Sequence, residues 1–117
     1  NIKIMSDGGI THQGTDIWIG DIAKAIRFGA DWVTSGVMFS KCIGSPAILN
    51  GYAGNASAEM RGHRKNVEGT SLNIETNGLY ISEMMDLVED SLRSSVSYAG
   101  GKDLSALRTV DFIDMRN

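Results

Sequence analysis

Cysteine and proline are almost missing from the 117 residues of this chain, since each occurs only once. A single cysteine, Cys42, excludes an intrachain disulfide. The sequence also contains no Cys/His cluster with the spacing of a zinc site. We therefore expect neither disulfides nor a metal site.

Strong charge of one sign and long apolar runs are lacking as well. The net charge is -3 at pH 7, from 11 basic and 14 acidic residues, which gives no support to a nucleic-acid partner. No apolar run approaches the roughly 18 residues of a membrane span, and no cleavable leader is recognisable. A cytoplasmic protein without a membrane partner is expected.

Only Asn1 precedes the first strand-like segment, and the chain does not begin with Met. We therefore expect a fragment of a longer chain.

Glycine, by contrast, is well represented, with 14 residues. Several of these glycines follow apolar segments, where a backbone free of side chains could approach a ligand.

The first part of the chain is typical of a strand–helix–strand unit. Residues 2–6 form a short apolar strand ended by Asp7-Gly8-Gly9, and residues 32–35 form a second strand ended by Gly36. Between them, residues 21–28 have the periodicity of a helix, which Asp21 can cap and Gly29 can end. This order predicts a right-handed crossover and a parallel sheet.

The second part contains one long helix. Residues 39–76 show weak periodicity, and only residues 71–75 alternate like an exposed strand. Apolar side chains then recur at helical spacing up to the pair Gly100-Gly101, and a short helical turn and a last apolar segment follow. The members of this apolar stripe are Ile81, Met84, Met85, Val88, Leu92 and Val96. We expect its central part to pack in the core and not to form a cofactor surface; these residues are Met84, Met85, Val88 and Leu92.

The two predicted strand ends are the candidate ligand site. In parallel α/β structures, ligands lie at the C-terminal ends of strands, where loop amides and helix N-termini point. Glycines at Gly8, Gly9 and Gly36 would let backbone N–H groups reach phosphate oxygens, although Gly-Gly also ends strands that bind nothing. Asp7 could accept hydrogen bonds from a ribose diol, or it could act as a plain turn cap.

Four stretches carry a family resemblance. Residues 4–10, Ile-Met-Ser-Asp-Gly-Gly-Ile, and residues 20–30 resemble the seventh barrel unit shared by IMP dehydrogenases and GMP reductases. Residues 65–69, Lys-Asn-Val-Glu-Gly, and residues 94–104 resemble the GMP reductases, especially a bacterial subgroup. The resemblance covers almost the whole chain. It is looser at residues 11–19, which include extra residues, and at residues 39–50, where the family segment is usually longer.

The resemblance implies the C-terminal part of an α/β (β/α)₈ TIM barrel, which needs about 250 residues in full. Residues 39–79 would be a flap inserted after the last strand, and residues 80–117 a cofactor-side helix and C-terminal segment of the same catalytic domain. The implied reaction is the NADPH-dependent reductive deamination of GMP to IMP and ammonia, a step of purine nucleotide salvage. A homotetramer is implied for the full-length enzyme, and this fragment alone would be inactive.

Site residues follow from the same resemblance. Asp7 would hold the ribose, and backbone groups of Gly8, Gly9, Gly36 and Val37 the phosphate; Val37 can offer its N–H but no hydroxyl. The remaining implied contacts are with the guanine base and with NADPH. Those to the base are Asn55, Ala56, Ser57, Lys65 and Gly69, and those to NADPH are Ser94, Ser95, Ser97 and Tyr98.

Glu68 is the implied catalytic residue of this chain. Loss of ammonia requires a proton on the departing amine, and a flap carboxylate can supply or relay it. On its own, such a residue is also typical of a solvated loop. The family's nucleophilic cysteine and its threonine partner belong to segments that precede those present here, so Cys42 is interpreted as structural or incidental and not as the nucleophile.

Two other functions remain open at this point. An IMP dehydrogenase would share the barrel but transfer hydride from IMP to NAD, and its flap carries an Arg-Tyr pair that residues 65–69 do not supply. A non-catalytic nucleotide- or phosphate-binding module would use the same strand ends without turnover.

Overall fold

A computed structural model describes residues 1–10, 19–53 and 71–115, with only the backbone at residues 71–72. Helices and strands alternate along these ranges, so the expected mixed α/β character is confirmed. In chain order the elements are β1 (Met5–Asp7), α1 (Gly20–Arg27), β2 (Trp32–Thr34), α2 (Gly36–Ser40), α3 (Ala47–Asn50), β3 (Tyr52–Ala53), β4 (Ser71–Leu72), α4 (Ile81–Tyr98) and a 3₁₀ helix (Leu104–Thr109).

The predicted strand–helix–strand unit is confirmed. Strands β1 and β2 pair in parallel, with Ser6 opposite Val33 and Asp7 opposite Thr34. Helix α1 connects them and packs on β2. Strand β1 begins and ends later than expected, so that Asp7 is its last residue and not the first residue of the turn.

The ends of α1 agree with the sequence at one terminus only. At the C-terminus, Gly29 adopts a φ of +107°, and the N–H of Ala30 donates to the carbonyl of Ala25 at 3.0 Å. The expected cap by Asp21 is wrong: the helix begins at Gly20, and its N-cap is Ile19, without a side-chain hydrogen bond. Asp21 lies in the first turn instead, with its carboxylate 3.2 Å from the ammonium of Lys24.

Helix α4 has the predicted length, and its stripe is only partly core. Met84 is fully buried and Val96 is buried, while Val88 and Leu92 are half-buried against the core. Two members of the stripe, Ile81 and Met85, are exposed, because they lie on a flank of α4 that no described element covers. The expectation that Met85 packs in the core is therefore wrong for the described part of the chain.

Two core clusters hold the elements together. One joins α1, the end of α4 and the 3₁₀ helix, and the other joins α2 to the start of α4. The buried members of the first are Ile22, Ile26, Val96 and Leu107; those of the second are Met38, Cys42 and Met84.

The 3₁₀ helix fastens the end of the chain to the starts of the two parallel strands. Its N-cap is Asp103, which accepts a hydrogen bond from the N–H of Ser105 at 2.9 Å. Its Arg108 donates to the carbonyl of Ala30 at 3.0 Å and lies 3.4 Å from the carboxylate of Asp31. Asp31 in turn accepts the N–H of Ile4 at 3.0 Å.

Short elements also occupy the segment with weak periodicity. Helices α2 and α3 were not predicted, because four or five residues are too few to show a helical period. Strands β3 and β4 pair antiparallel, with Tyr52 opposite Leu72, so the strand expected at residues 71–75 is confirmed at its first two residues. Helix α4 is the only described helix long enough to cross a membrane, and it is too polar to do so.

Candidate functional site

The ends of β1 and β2 lie side by side, as the parallel pairing requires. The loop after β1 and the residue after β2 are joined directly: the hydroxyl of Ser35 donates to the carbonyl of Ile10 at 2.9 Å. The structure thus brings Asp7, Gly8, Gly9 and Gly36 to one edge, which we call the strand-end surface.

Backbone at the end of β1 is open to a ligand. Gly8 and Gly9 have φ angles of +83° and +69°, a region that other residues rarely adopt. An added Cβ at either position would meet no atom within 4 Å. The carboxylate of Asp7 is exposed and makes no hydrogen bond or ion pair with a described residue. These groups are free to bind a hydroxyl-rich or anionic ligand.

Tyr52 lies beside the strand-end surface, a position that the sequence did not reveal. A Cβ placed on Gly36 would lie 2.5 Å from the hydroxyl oxygen of Tyr52 and 3.3 Å from its ring. Gly36 therefore lets the phenol reach the backbone at the end of β2. No sequence pattern around Tyr52 indicates this contact; Gly51, which precedes it, has a φ of +77° and ends α3.

Val37 can offer only its backbone to a ligand at the strand-end surface. Its side chain is buried, and its N–H belongs to the first turn of α2, next to Gly36. The flap residues of the predicted site lie outside the described residues; they are Asn55, Ala56, Ser57, Lys65, Glu68 and Gly69.

The four residues expected at NADPH lie at the C-terminal end of α4. Ser94, Ser95, Ser97 and Tyr98 form the end of α4, an 18-residue helix that spans about 27 Å. The start of α4 packs beside α2, whereas its end packs with α1 and the 3₁₀ helix, near the starts of β1 and β2. The structure does not bring these four residues to the strand-end surface.

Two grooves flank this helix end. One, of about 300 Å³, is mostly apolar and includes Phe28, Tyr98 and Phe112 among its walls. The other, of about 520 Å³, includes Arg93, Ser97 and Lys102. Tyr98 is 95% exposed. The hydroxyl of Ser95 is engaged within the helix, where it donates to the carbonyl of Ser91 at 2.9 Å.

Cys42 lies in a core position. Its side chain is buried with Met38 and Met84, and its Sγ is 4.0 Å from the carbonyl of Met38. Burial raises the pKa of the Cys42 thiol, an effect that the side chain of Asn77 partly offsets. A raised pKa disfavours the thiolate that a nucleophile needs. No group of His, Cys, Asp or Glu side chains that could hold a metal ion occurs within the described ranges.

Comparison with known proteins gives matches over nearly the whole chain. All of residues 1–117 match the model of the IMP dehydrogenase / GMP reductase domain. The chain is 45% identical over 123 residues to the GMP reductase of Streptococcus pyogenes serotype M4, covering 97% of the chain and 35% of that relative. It is 42% identical over 124 residues to the GMP reductase of serotype M5, covering 98% and 36%. The chain spans about a third of the length of these curated relatives.

Proposed function

This chain belongs to the IMP dehydrogenase / GMP reductase family, and on that premise we propose that it is the C-terminal part of an NADPH-dependent GMP reductase. The proposal is carried by the likeness to GMP reductases, which extends over nearly the whole chain. In this proposal β1 and β2 are the last two strands of a (β/α)₈ barrel, residues 39–79 are the flap, and residues 80–117 complete the same catalytic domain.

The strand-end surface would hold the nucleotide. In (β/α)₈ barrels a phosphate frequently binds the loops after the last two strands. Backbone N–H groups of Gly8, Gly9, Gly36 and Val37 would donate to the phosphate, and the hydroxyl of Tyr52 is close enough to Gly36 to join them. Asp7 would accept from the ribose hydroxyls, because its carboxylate is exposed and uncommitted among the described residues.

The flap would act on the base. Asn55, Ala56 and Ser57 would lie along the guanine, and Lys65 and Gly69 would contact it. NADPH, when bound, would supply the hydride for C2. Glu68 would deliver a proton to the exocyclic amine as the bond from C2 to nitrogen breaks, so that nitrogen leaves as ammonia. The nucleophilic cysteine of the family would come from a part of the protein outside this chain.

The helix-end residues require a second subunit in this proposal. Ser94, Ser95, Ser97 and Tyr98 lie about 20 to 26 Å along α4 from its start, by the rise of about 1.5 Å per helical residue. They would meet NADPH bound to a neighbouring subunit whose strand ends border this helix end. A homotetramer would provide such neighbours.

The test is turnover by the full-length protein. Purified protein with GMP and NADPH should consume NADPH and release IMP and ammonia in equal amounts. Turnover of IMP with NAD but not of GMP with NADPH would identify an IMP dehydrogenase. Saturable GMP binding without either reaction would identify a non-catalytic module. A comparison of NADPH with NADH in the same assay decides the cofactor.

A further inference from the structure

Helix α2 connects the strand-end surface to the interior. It contains five residues, Gly36–Ser40, too few to form a stable helix in isolation. Its first residue is Gly36, which lies against the hydroxyl of Tyr52. Whatever holds the other end of α2 therefore fixes where Gly36 sits.

The C-terminal end of α2 is capped from a distant part of the chain. The carbonyl of Lys41, the C-cap residue, accepts the N–H of Asn77 at 3.0 Å and the hydroxyl of Thr76 at 3.2 Å. Two residues later, the N–H of Ile43 donates to the carbonyl of Leu79 at 2.8 Å. Carbonyls at the end of a helix lack partners inside the helix, so these bonds supply what α2 cannot.

The capping turn is itself held in shape by its side chains. The hydroxyl of Thr76 accepts the N–H of Gly78 at 3.1 Å, and the side-chain oxygen of Asn77 accepts the N–H of Leu79 at 2.9 Å. Gly78 has a φ of +75°, which lets the chain turn back. On the inner side, Met38 and Cys42 pack against Met84 of α4. The end of α2 is therefore bound on two sides.

We propose that Thr76 and Asn77 are positioning residues for the site of the nucleotide phosphate. They hold the C-terminal end of α2, and this keeps Gly36 in contact with the hydroxyl of Tyr52. Neither residue belongs to the strand-end surface, so neither touches the substrate. The inference rests on the proposed function, because it assigns the phosphate to this surface. We expect substitutions of these two residues to weaken GMP binding and to leave the rate of the chemical step unchanged.

The experiment compares three variants of the full-length protein. Thr76→Val keeps the shape and removes the hydroxyl, Thr76→Ser keeps the hydroxyl, and Thr109→Val removes a hydroxyl that donates to Ala106 at 3.2 Å in the 3₁₀ helix. Thr76→Val removes both the bond to Lys41 and the bond from Gly78, and loss of the bond to Lys41 alone predicts a rise of about fivefold in the KM for GMP. Its kcat should stay within about twofold, and the other two variants should match the unchanged protein.

An unchanged KM in a folded Thr76→Val protein would overturn the inference, as would an equal loss in Thr109→Val. If Thr76→Val does not fold, Asn77→Ala provides the same comparison, because it loosens the turn and leaves the main-chain bond to Lys41. If the unchanged protein does not reduce GMP, the proposed function fails separately. The Kd of GMP in the same variants then decides the inference.

Discussion

The hydroxyl of Tyr52 occupies the space that a side chain on Gly36 would need, since an added Cβ would lie 2.5 Å from that oxygen. Gly36 begins α2 and Tyr52 belongs to β3, so the contact joins the end of one strand to the start of another. A side chain at position 36 would have to displace the phenol or shift the backbone.

We therefore expect Gly36→Val to raise the KM for GMP by about 5- to 100-fold in the full-length enzyme, from the usual cost of overpacking. Gly36→Ala should have a smaller effect, because it adds a single carbon atom beside the Tyr52 phenol. Gly20→Ala is the matched control, because a Cβ there meets nothing within 4 Å. A normal KM in folded Gly36→Val would remove Gly36 from the phosphate site.

Glu68→Gln keeps the shape of the flap side chain and removes its acid. We expect GMP binding within a few-fold of normal and a loss in turnover of about 10²- to 10⁴-fold. Hydride exchange between NADPH and IMP should be much less affected, because that exchange needs no proton at a departing amine. Glu89→Gln, on the exposed side of α4, serves as the control. Equal losses in both reactions would mean that Glu68 positions the flap, and full turnover would make it an ordinary loop residue.

The isolated 117-residue chain should be unstable or aggregate. Among the described residues, β1 and β2 pair only with each other, and unpaired strand edges promote association. Ile2 is 93% exposed and Trp32 is 62% exposed. Thermal unfolding with light scattering provides the measurement. A cooperative transition from a monomer would show that the chain is an independent domain.

Asp31 should make the stability of the full-length protein depend on pH in the acidic range. The N–H of Ile4 lowers the pKa of its carboxyl, and Lys3 and Arg108 lower it further. A carboxyl whose pKa is lower in the folded state stabilises the folded protein when the pH is above the unfolded pKa of about 3.9. This stabilisation is lost as the pH falls through the folded pKa. Asp31→Asn should therefore lower the Tm at pH 7, with the difference shrinking below about pH 4.

The matched control for this change is Asp86→Asn, at an exposed position of α4. Its Tm should follow that of the unchanged protein at both pH values. A difference between the Asp31→Asn and unchanged proteins that persists undiminished in acid would show that the variant acts through the lost shape of the site and not through its charge.

The sequence predicted the elements that its local patterns determine. Glycine after an apolar segment correctly marked the ends of α1 and α4, and parallel pairing followed from the order strand, helix, strand. The cap of α1 was missed because the helix begins one residue earlier, which moves Asp21 into its first turn. Such boundaries depend on single residues that a periodicity of 3.6 cannot resolve.

Features that depend on distant contacts were not predictable. Tyr52 is of interest because its hydroxyl lies against Gly36 in the folded chain. Nothing in the residues around Tyr52 indicates that contact. Similarly, the resemblance assigned Ser97 and Tyr98 to the cofactor, but only the packing of α4 on α1 shows that they lie away from the strand ends. Predictions about Glu68 and its neighbours stay predictions.

The length of α4 also has a thermodynamic consequence. Changes at sites more than about 7–10 Å apart, with no shared partners, usually add in free energy. Met84 near the start of this helix and Val96 near its end belong to different core clusters, and Val88 between them packs against both. Within a subunit, substitutions that touch only one of the two clusters should therefore add in free energy, whereas a substitution at Val88 would couple them.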